Sequence, residues 1–216
     1  MPRLSLVSRA DIDDPLVEFI YDKKFPGRDP ATEPGHTASG APGNFEAVFA
    51  HSPDVLEHVL QGFFLKQTKN RKTPLKYLEL AITRIGWDCS CRWMFSEHTK
   101  ILRGLGFSEE ALNDIQSWQT GNLFDEAERA VLAYADCIAF DHGRVPDLLF
   151  AQLKAHFDEE HFVEITYIAS MFMMNAGMIR AFRLEHDDYD ERVHEMASPP
   201  EYRFSDVEPA PLPRRS

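Results

Sequence analysis

Between Glu79 and His98 the chain sets a carboxylate, a thiol and an imidazole at fixed offsets: Cys91 stands twelve residues after Glu79, and His98 seven after Cys91. These are the parts of acid–base chemistry. The imidazole titrates near neutral pH, the carboxylate can orient it and favour its charged form, and the thiol becomes a nucleophile once deprotonated. On one unbroken helix Glu79 and His98 would lie roughly 28 Å apart along the axis and could not cooperate. Gly86, followed by Trp87 and Asp88, is a poor helix-interior residue, so a break is expected near residues 86–89. Two helices meeting at an angle would then bring Glu79 to His98.

In the second of those helices Cys91, Met94 and His98 fall at i, i+3 and i+7, on one face. Cys89 and Cys91 are only two apart. If both are helical their side chains diverge by about 200°, and a disulfide between them needs the backbone to unwind. The same stripe, with Phe95, Ile101, Leu102 and Leu105, also reads as an ordinary core face, because buried Cys and Met are common. Glu79 weighs against that reading, since it sits in Tyr77-Leu78-Glu79-Leu80-Ala81-Ile82, where an unpaired carboxylate is expensive. For a substrate, Trp93, Met94 and Phe95 offer an apolar wall. Arg84 or Arg92 offers a carboxylate anchor, although each also reads as a surface residue.

The 216 residues suffice for one domain with a real core. A formal charge of -12 argues against nucleic acid or an anionic membrane surface as the main partner and leaves a small molecule. Three unevenly spaced Cys do not make a disulfide framework, and no n-region with h-region opens the chain, so a reduced, cytoplasmic setting is expected. Ile165 to Ile179 carries no charge but includes Thr166, Ser170 and Asn175; it is short for a bilayer and reads as a buried helix. None of the nine His has the i, i+4 ligand pairing of a helical zinc site, so no metal is expected, and no cofactor.

Helical pattern dominates the rest. Asp13–Lys24 reads as a short helix; 25–44, rich in Pro and Gly, reads as a long loop for which a lid, a subunit-clasping arm and disorder are the alternatives. Further helices are expected over 45–51, from Pro53 to about Lys69, after Thr73-Pro74, from Cys91 to about Gly104, from Ser108 to Trp118, over 123–141 with Cys137 as packing, over 146–156, and from Asp158 to about Phe182. The last is apolar nearly all round, as in a helix buried on every side, within its own chain or between subunits. No hairpin or strand–helix alternation appears, so the fold class is all-α. The domain reading is an N-terminal segment and loop over 1–42, a helical domain over 43–185, and an acidic, Pro-rich tail over 186–216.

The pattern Glu-Leu-Ala-Ile-x-Arg, with Cys twelve after the Glu and His seven after the Cys, resembles the carboxymuconolactone decarboxylase family, which shares its fold with alkylhydroperoxidase D. The run Asn44-Phe-Glu-Ala-Val-Phe-Ala-His51-Ser-Pro53 resembles the segment preceding the motif in longer members. The resemblance covers roughly residues 43–185. It implies an all-helical bundle assembled as trimers or hexamers, with Glu79, Cys91 and His98 as catalytic residues lining a pocket. The implied chemistry is that of a cofactor-independent lyase acting on a small organic acid or lactone in aromatic degradation. Two departures stand out. The peroxidase branch has a second Cys three after the first with a His between, where this chain has Met94 and Trp93. Many decarboxylase-like members have Tyr-Glu-Trp in place of Trp93-Met94-Phe95. A thiol-dependent peroxidase of the alkylhydroperoxidase D type and a non-catalytic oligomeric binding protein therefore stand as alternatives to the lyase.

Overall fold

Capping chemistry sets where the helices begin. In the computed structural model, which describes residues 2–38, 43–68 and 71–184, α1 (Pro15–Lys24) opens with Asp14 accepting from the backbone N–H groups of Leu16 and Val17, and with Pro at the first turn. Then come α2 (Asn44–Phe49), α3 (Pro53–Gln67), α4 (Leu75–Asp88), α5 (Arg92–Gly104) and α6 (Glu109–Asp114), which runs on as a 3-10 turn through Ser117. α7 (Glu126–Phe140) starts with a full capping box, Asp125 and Glu128 each accepting from the other's backbone. α8 (Asp147–Lys154) and α9 (Glu159–Phe182) complete the order, α9 being capped by Asp158, which accepts from the N–H groups of Glu160 and His161. Among the described residues there is no β-strand, so the fold is all-α. The acidic tail expected from Glu185 on lies outside the described residues.

The described chain divides into two units, residues 2–65 with 179–184, and residues 66–178. In the first, Leu16, Ile20 and Tyr21 of α1 pack in a core with Phe25, Phe45, Phe49 and Leu56. Residues 25–38, for which disorder was one expectation, are tied down: Arg9 donates to the carbonyls of Phe25 and Arg28, and Ser8 donates to Asp29 at 2.6 Å. Buried donors and acceptors satisfied in this way hold a Pro- and Gly-rich segment without regular structure.

The second unit is organised around α4, which packs against both α5 and α7. The break expected near residues 86–89 is found past Asp88, not at Gly86 itself. α4 runs through it, because the absent side chain is what lets α5 approach: a Cβ there would lie 2.8 Å from the Phe95 nitrogen and 3.1 Å from its Cα. The reversal falls at Cys89-Ser90-Cys91 instead, where Ser90 takes a left-handed backbone (φ 53°) and the Cys91 N–H donates to the Gly86 carbonyl at 2.8 Å. α9 is not covered on every side by the described residues of its own chain. Ile165, Ile168, Ala169 and Phe172 are buried, but Val163, Tyr167 and Met174 on the other side are 69%, 45% and 47% exposed.

Gly86→Ala tests the close approach. Ala gains at most about 1 kcal/mol of helix propensity over Gly, whereas overpacking against a backbone costs about 1–3 kcal/mol. A lower urea midpoint is expected; a midpoint at or above that of the wild type would show that α5 is not held against α4 at this residue.

Candidate functional site

Glu79 lies in the middle of α4, wholly out of solvent, where nothing but protein can meet its charge. Two side chains do. His98, two turns into α5, brings Nδ1 to 2.6 Å from Glu79 Oε2. Lys66, in the last turn of α3 and the first residue of the second unit, brings Nζ to 2.7 Å from Glu79 Oε1. Both partners are themselves buried. Phe172 of α9 closes the group: its ring meets His98 edge-to-face at 4.9 Å, and Lys66 Nζ stands 5.4 Å from the ring centroid, within cation–π range.

The charges follow from this packing. Burial alone would raise the Glu79 pKa, but Lys66 and then His98 outweigh it and hold the carboxyl down at about 2. For His98 burial is the largest influence and lowers its pKa; Glu79 pulls the other way, Lys66 reinforces burial, and the net shift is downward. Near neutral pH the group is therefore a lysine–glutamate ion pair beside a neutral imidazole. An ionised carboxylate can only accept, so Nδ1 carries the proton and Nε2 presents a lone pair. That arrangement makes Nε2 a base. Glu79 raises the His98 pKa as its pairing predicts, but burial first, with Lys66 beside it, outweighs that pull. The sequence demanded a counter-charge for Glu79, but twelve residues of intervening chain hid which lysine supplies it.

Cys91 is not inside α5. It is the residue that caps it, with extended backbone (φ -95°, ψ 91°), and it is fully buried. Cys89 is the half-buried last cap of α4. The expected 200° divergence of the two thiols presumed helical backbone at both, and neither has it. All three cysteines are thiols, and burial pushes that of Cys137 up within α7. Met94 is wholly buried one turn before His98, Phe95 is buried with its ring 5.9 Å from that of Trp87, and Trp93 is half-buried.

Arg84 sits elsewhere. Five residues beyond Glu79, it projects about 140° around α4. Its Nε meets Asp136 of α7 at 2.5 Å and Asp88 at 3.0 Å, and its Nη1 donates to the carbonyls of Ile115 and Gln116. Burial pushes the Asp88 carboxyl up to about 8, against the pull of Arg84 and with the push of Asp136. This guanidinium is committed to joining α4 to α7, rather than placed beside His98 for the substrate carboxylate proposed from sequence.

No family model matches the chain. It is 24% identical to the uncharacterized protein YdfG of Bacillus subtilis (strain 168) over 106 residues, 49% of this chain and 70% of that protein. It is 27% identical to the uncharacterized protein YnjA of Escherichia coli (strain K12) over 120 residues, 54% of this chain and, at 65%, just under two thirds of that protein. Among solved structures, an uncharacterized peroxidase-related protein from Ralstonia eutropha JMP134 with an alkylhydroperoxidase AhpD core matches 87% of this chain and 93% of its own at TM-score 0.67 and 18% identity. A protein of unknown function from Agrobacterium tumefaciens, described under the antioxidant defence name AhpD, matches 65% and 96% at TM-score 0.60 and 25% identity. The debrominase Bmp8, as a cysteine-to-alanine variant with 2,3,4-tribromopyrrole, matches 87% and 93% at TM-score 0.64 and 15% identity. The chain has the alkylhydroperoxidase D-like fold, as its sequence resemblance implied.

Both titrations in this group act on stability with the same sign. A depressed folded pKa contributes stability above the unfolded value that is lost as pH falls toward the folded one. The urea midpoint should therefore decline as pH drops below about 6.5, where unfolded His takes up a proton, and decline further below about 4.3, where unfolded Glu does. NMR titration should place the His98 midpoint below that of an unperturbed His, and Lys66→Met should move it upward; an unchanged midpoint would remove Lys66 from the electrostatics of His98.

Proposed function

We propose that the protein is a cofactor-independent enzyme in which His98 accepts a proton from the Cys91 thiol, the thiolate attacks a small, largely apolar electrophile and displaces its leaving group, and an external thiol is the reductant that restores Cys91. The observation that carries this is the bond between His98 Nδ1 and Glu79 Oε2, because it turns Nε2 into the basic nitrogen while leaving a carboxylate in place to stabilise the imidazolium that forms. Helical side chains lean toward the N-terminus, so the imidazole leans toward the end of α5 that Cys91 caps. A thiolate at that end meets the positive pole of the helix. The peroxidase-related and debrominase neighbours support an electrophile such as a hydroperoxide or a halogenated aromatic ring. The exposed Val163, Tyr167 and Met174 on α9 support assembly as the trimer or hexamer that the resemblance implies.

Met94 favours a second reading. With no second thiol on this face of α5, chemistry at the substrate alone remains open: His98 would remove a proton next to the carbonyl of a lactone or organic acid, as in a lyase. A neutral imidazole suits proton removal better than the proton donation that decarboxylation needs at its last step.

Assays of the purified protein, with dithiothreitol as the external reductant, on cumene hydroperoxide, a brominated phenol and an unsaturated lactone, with Cys91→Ser, His98→Gln and Glu79→Gln, separate these. On the thiol reading Cys91→Ser abolishes turnover, and His98→Gln lowers it by about 10² to 10⁴. Turnover that survives Cys91→Ser but not His98→Gln assigns the lyase. Wild-type turnover in His98→Gln sinks both.

A further inference from the structure

α9 contributes to the second unit a stripe of buried positions, Ile165, Ile168, Ala169, Phe172 and Ala176, all apolar except for one amide, Asn175. Asn175 is wholly buried, and both its Nδ2 and its Oδ1 are without a hydrogen-bond partner among the described residues. Orphaned amides of this kind are rare, because a hydrogen bond left unmade in the interior is destabilising, and Leu or Met of similar size would avoid that cost. Its place in the fold is specific. Asn175 follows Phe172 by three residues, which makes the two side chains neighbours on one helix face. Phe172 is the ring that His98 meets edge-on and over which Lys66 stands.

We propose that Asn175 is a substrate-binding residue whose amide N–H groups donate to an oxygen acceptor, a carbonyl or a carboxylate, on an otherwise apolar molecule held beside Phe172 and His98. The inference rests on the reading of His98 as the catalytic base and names the substrate feature that reading leaves open. The chemistry is consistent on all sides. Phe172 and the buried Ile168 of the same helix offer an apolar frame, Glu79 cannot donate, and the Lys66 ammonium stands over the Phe172 ring, so an electron-rich oxygen is what the surroundings of the amide favour. The amide then acts at a distance from the reacting atom, fixing orientation while the apolar frame supplies most of the burial.

The test uses the full chain and three probes: benzoate for a carboxylate, benzamide for a neutral carbonyl, and toluene for the bare frame. Binding is followed through the assigned side-chain amide resonances of Asn175 and through the melting temperature of the wild type, Asn175→Leu and His98→Gln. Benzoate or benzamide should shift the Asn175 amide signals. Asn175→Leu should bind that probe about 10- to 100-fold more weakly, the loss of one hydrogen bond to a strong acceptor, with toluene binding unchanged. It should also melt at or above the wild-type temperature, since an unsatisfied polar group has been replaced by an apolar one. Three results overturn the proposal: no probe perturbs Asn175, Asn175→Leu binds the oxygen-bearing probes as tightly as the wild type, or the variant melts clearly lower, as it would if the amide held a structural water. Should Asn175→Leu fail to fold, the wild-type amide resonances decide alone. Probe binding through Asn175 together with full turnover in His98→Gln would remove the catalytic reading and keep the binding site. Lost turnover in His98→Gln without probe contact at Asn175 would do the reverse.

Discussion

A carboxylate removed from water must find opposite charge and hydrogen bonds close by, or its burial costs more than a small domain can tolerate. Glu79 meets that requirement with one oxygen on Lys66 and the other on His98, and the packing of α4 against α5 is bound up with it. The same requirement sets the chemistry. Because Lys66 neutralises the carboxylate, burial keeps His98 uncharged; because the carboxylate stays ionised, it holds the imidazole proton on Nδ1. A base at Nε2 is thus a consequence of charge balance as much as of position.

α4 carries a second buried ionic group on another of its faces, and the two are built for different ends. Around Arg84, the carboxyls of Asp88 and Asp136 and the carbonyls of Ile115 and Gln116 draw on the guanidinium, and the bonds run between elements that must stay joined. Around Glu79 the bonds end on a ring nitrogen whose twin can still react. Two buried carboxylates on one helix therefore differ in kind. Glu79 is pulled below the ordinary carboxylate range by neighbouring positive charge, and Asp88 is pushed above it by burial and a second acid.

The link from α4 to α5 shows how local sequence can mislead about geometry while pointing to the correct place. Gly86 reads as a helix breaker, yet it is the residue that allows the Phe95 backbone to come within contact distance, and the turn is made four residues later by Ser90 in a left-handed conformation. Because the reversal runs through Cys89-Ser90-Cys91, Cys91 caps α5 rather than lying within it. Its relation to Cys89, to the positive end of α5 and to His98 changes with it.

Periodicity, capping residues and the scarcity of strand signals in the sequence determined that the chain is helical, where most of the helices lie, and that Glu79 and His98 belong together, because each of those rests on neighbours within a few residues or on a spacing that one helix cannot satisfy. The lysine that balances Glu79, the direction of the His98 shift, the commitment of Arg84 to Asp136 and the isolation of the Asn175 amide were decided only by tertiary structure. Each depends on distances between residues far apart in the chain and on the loss of water around them, and electrostatic energies in a protein are governed by those two quantities rather than by sequence order.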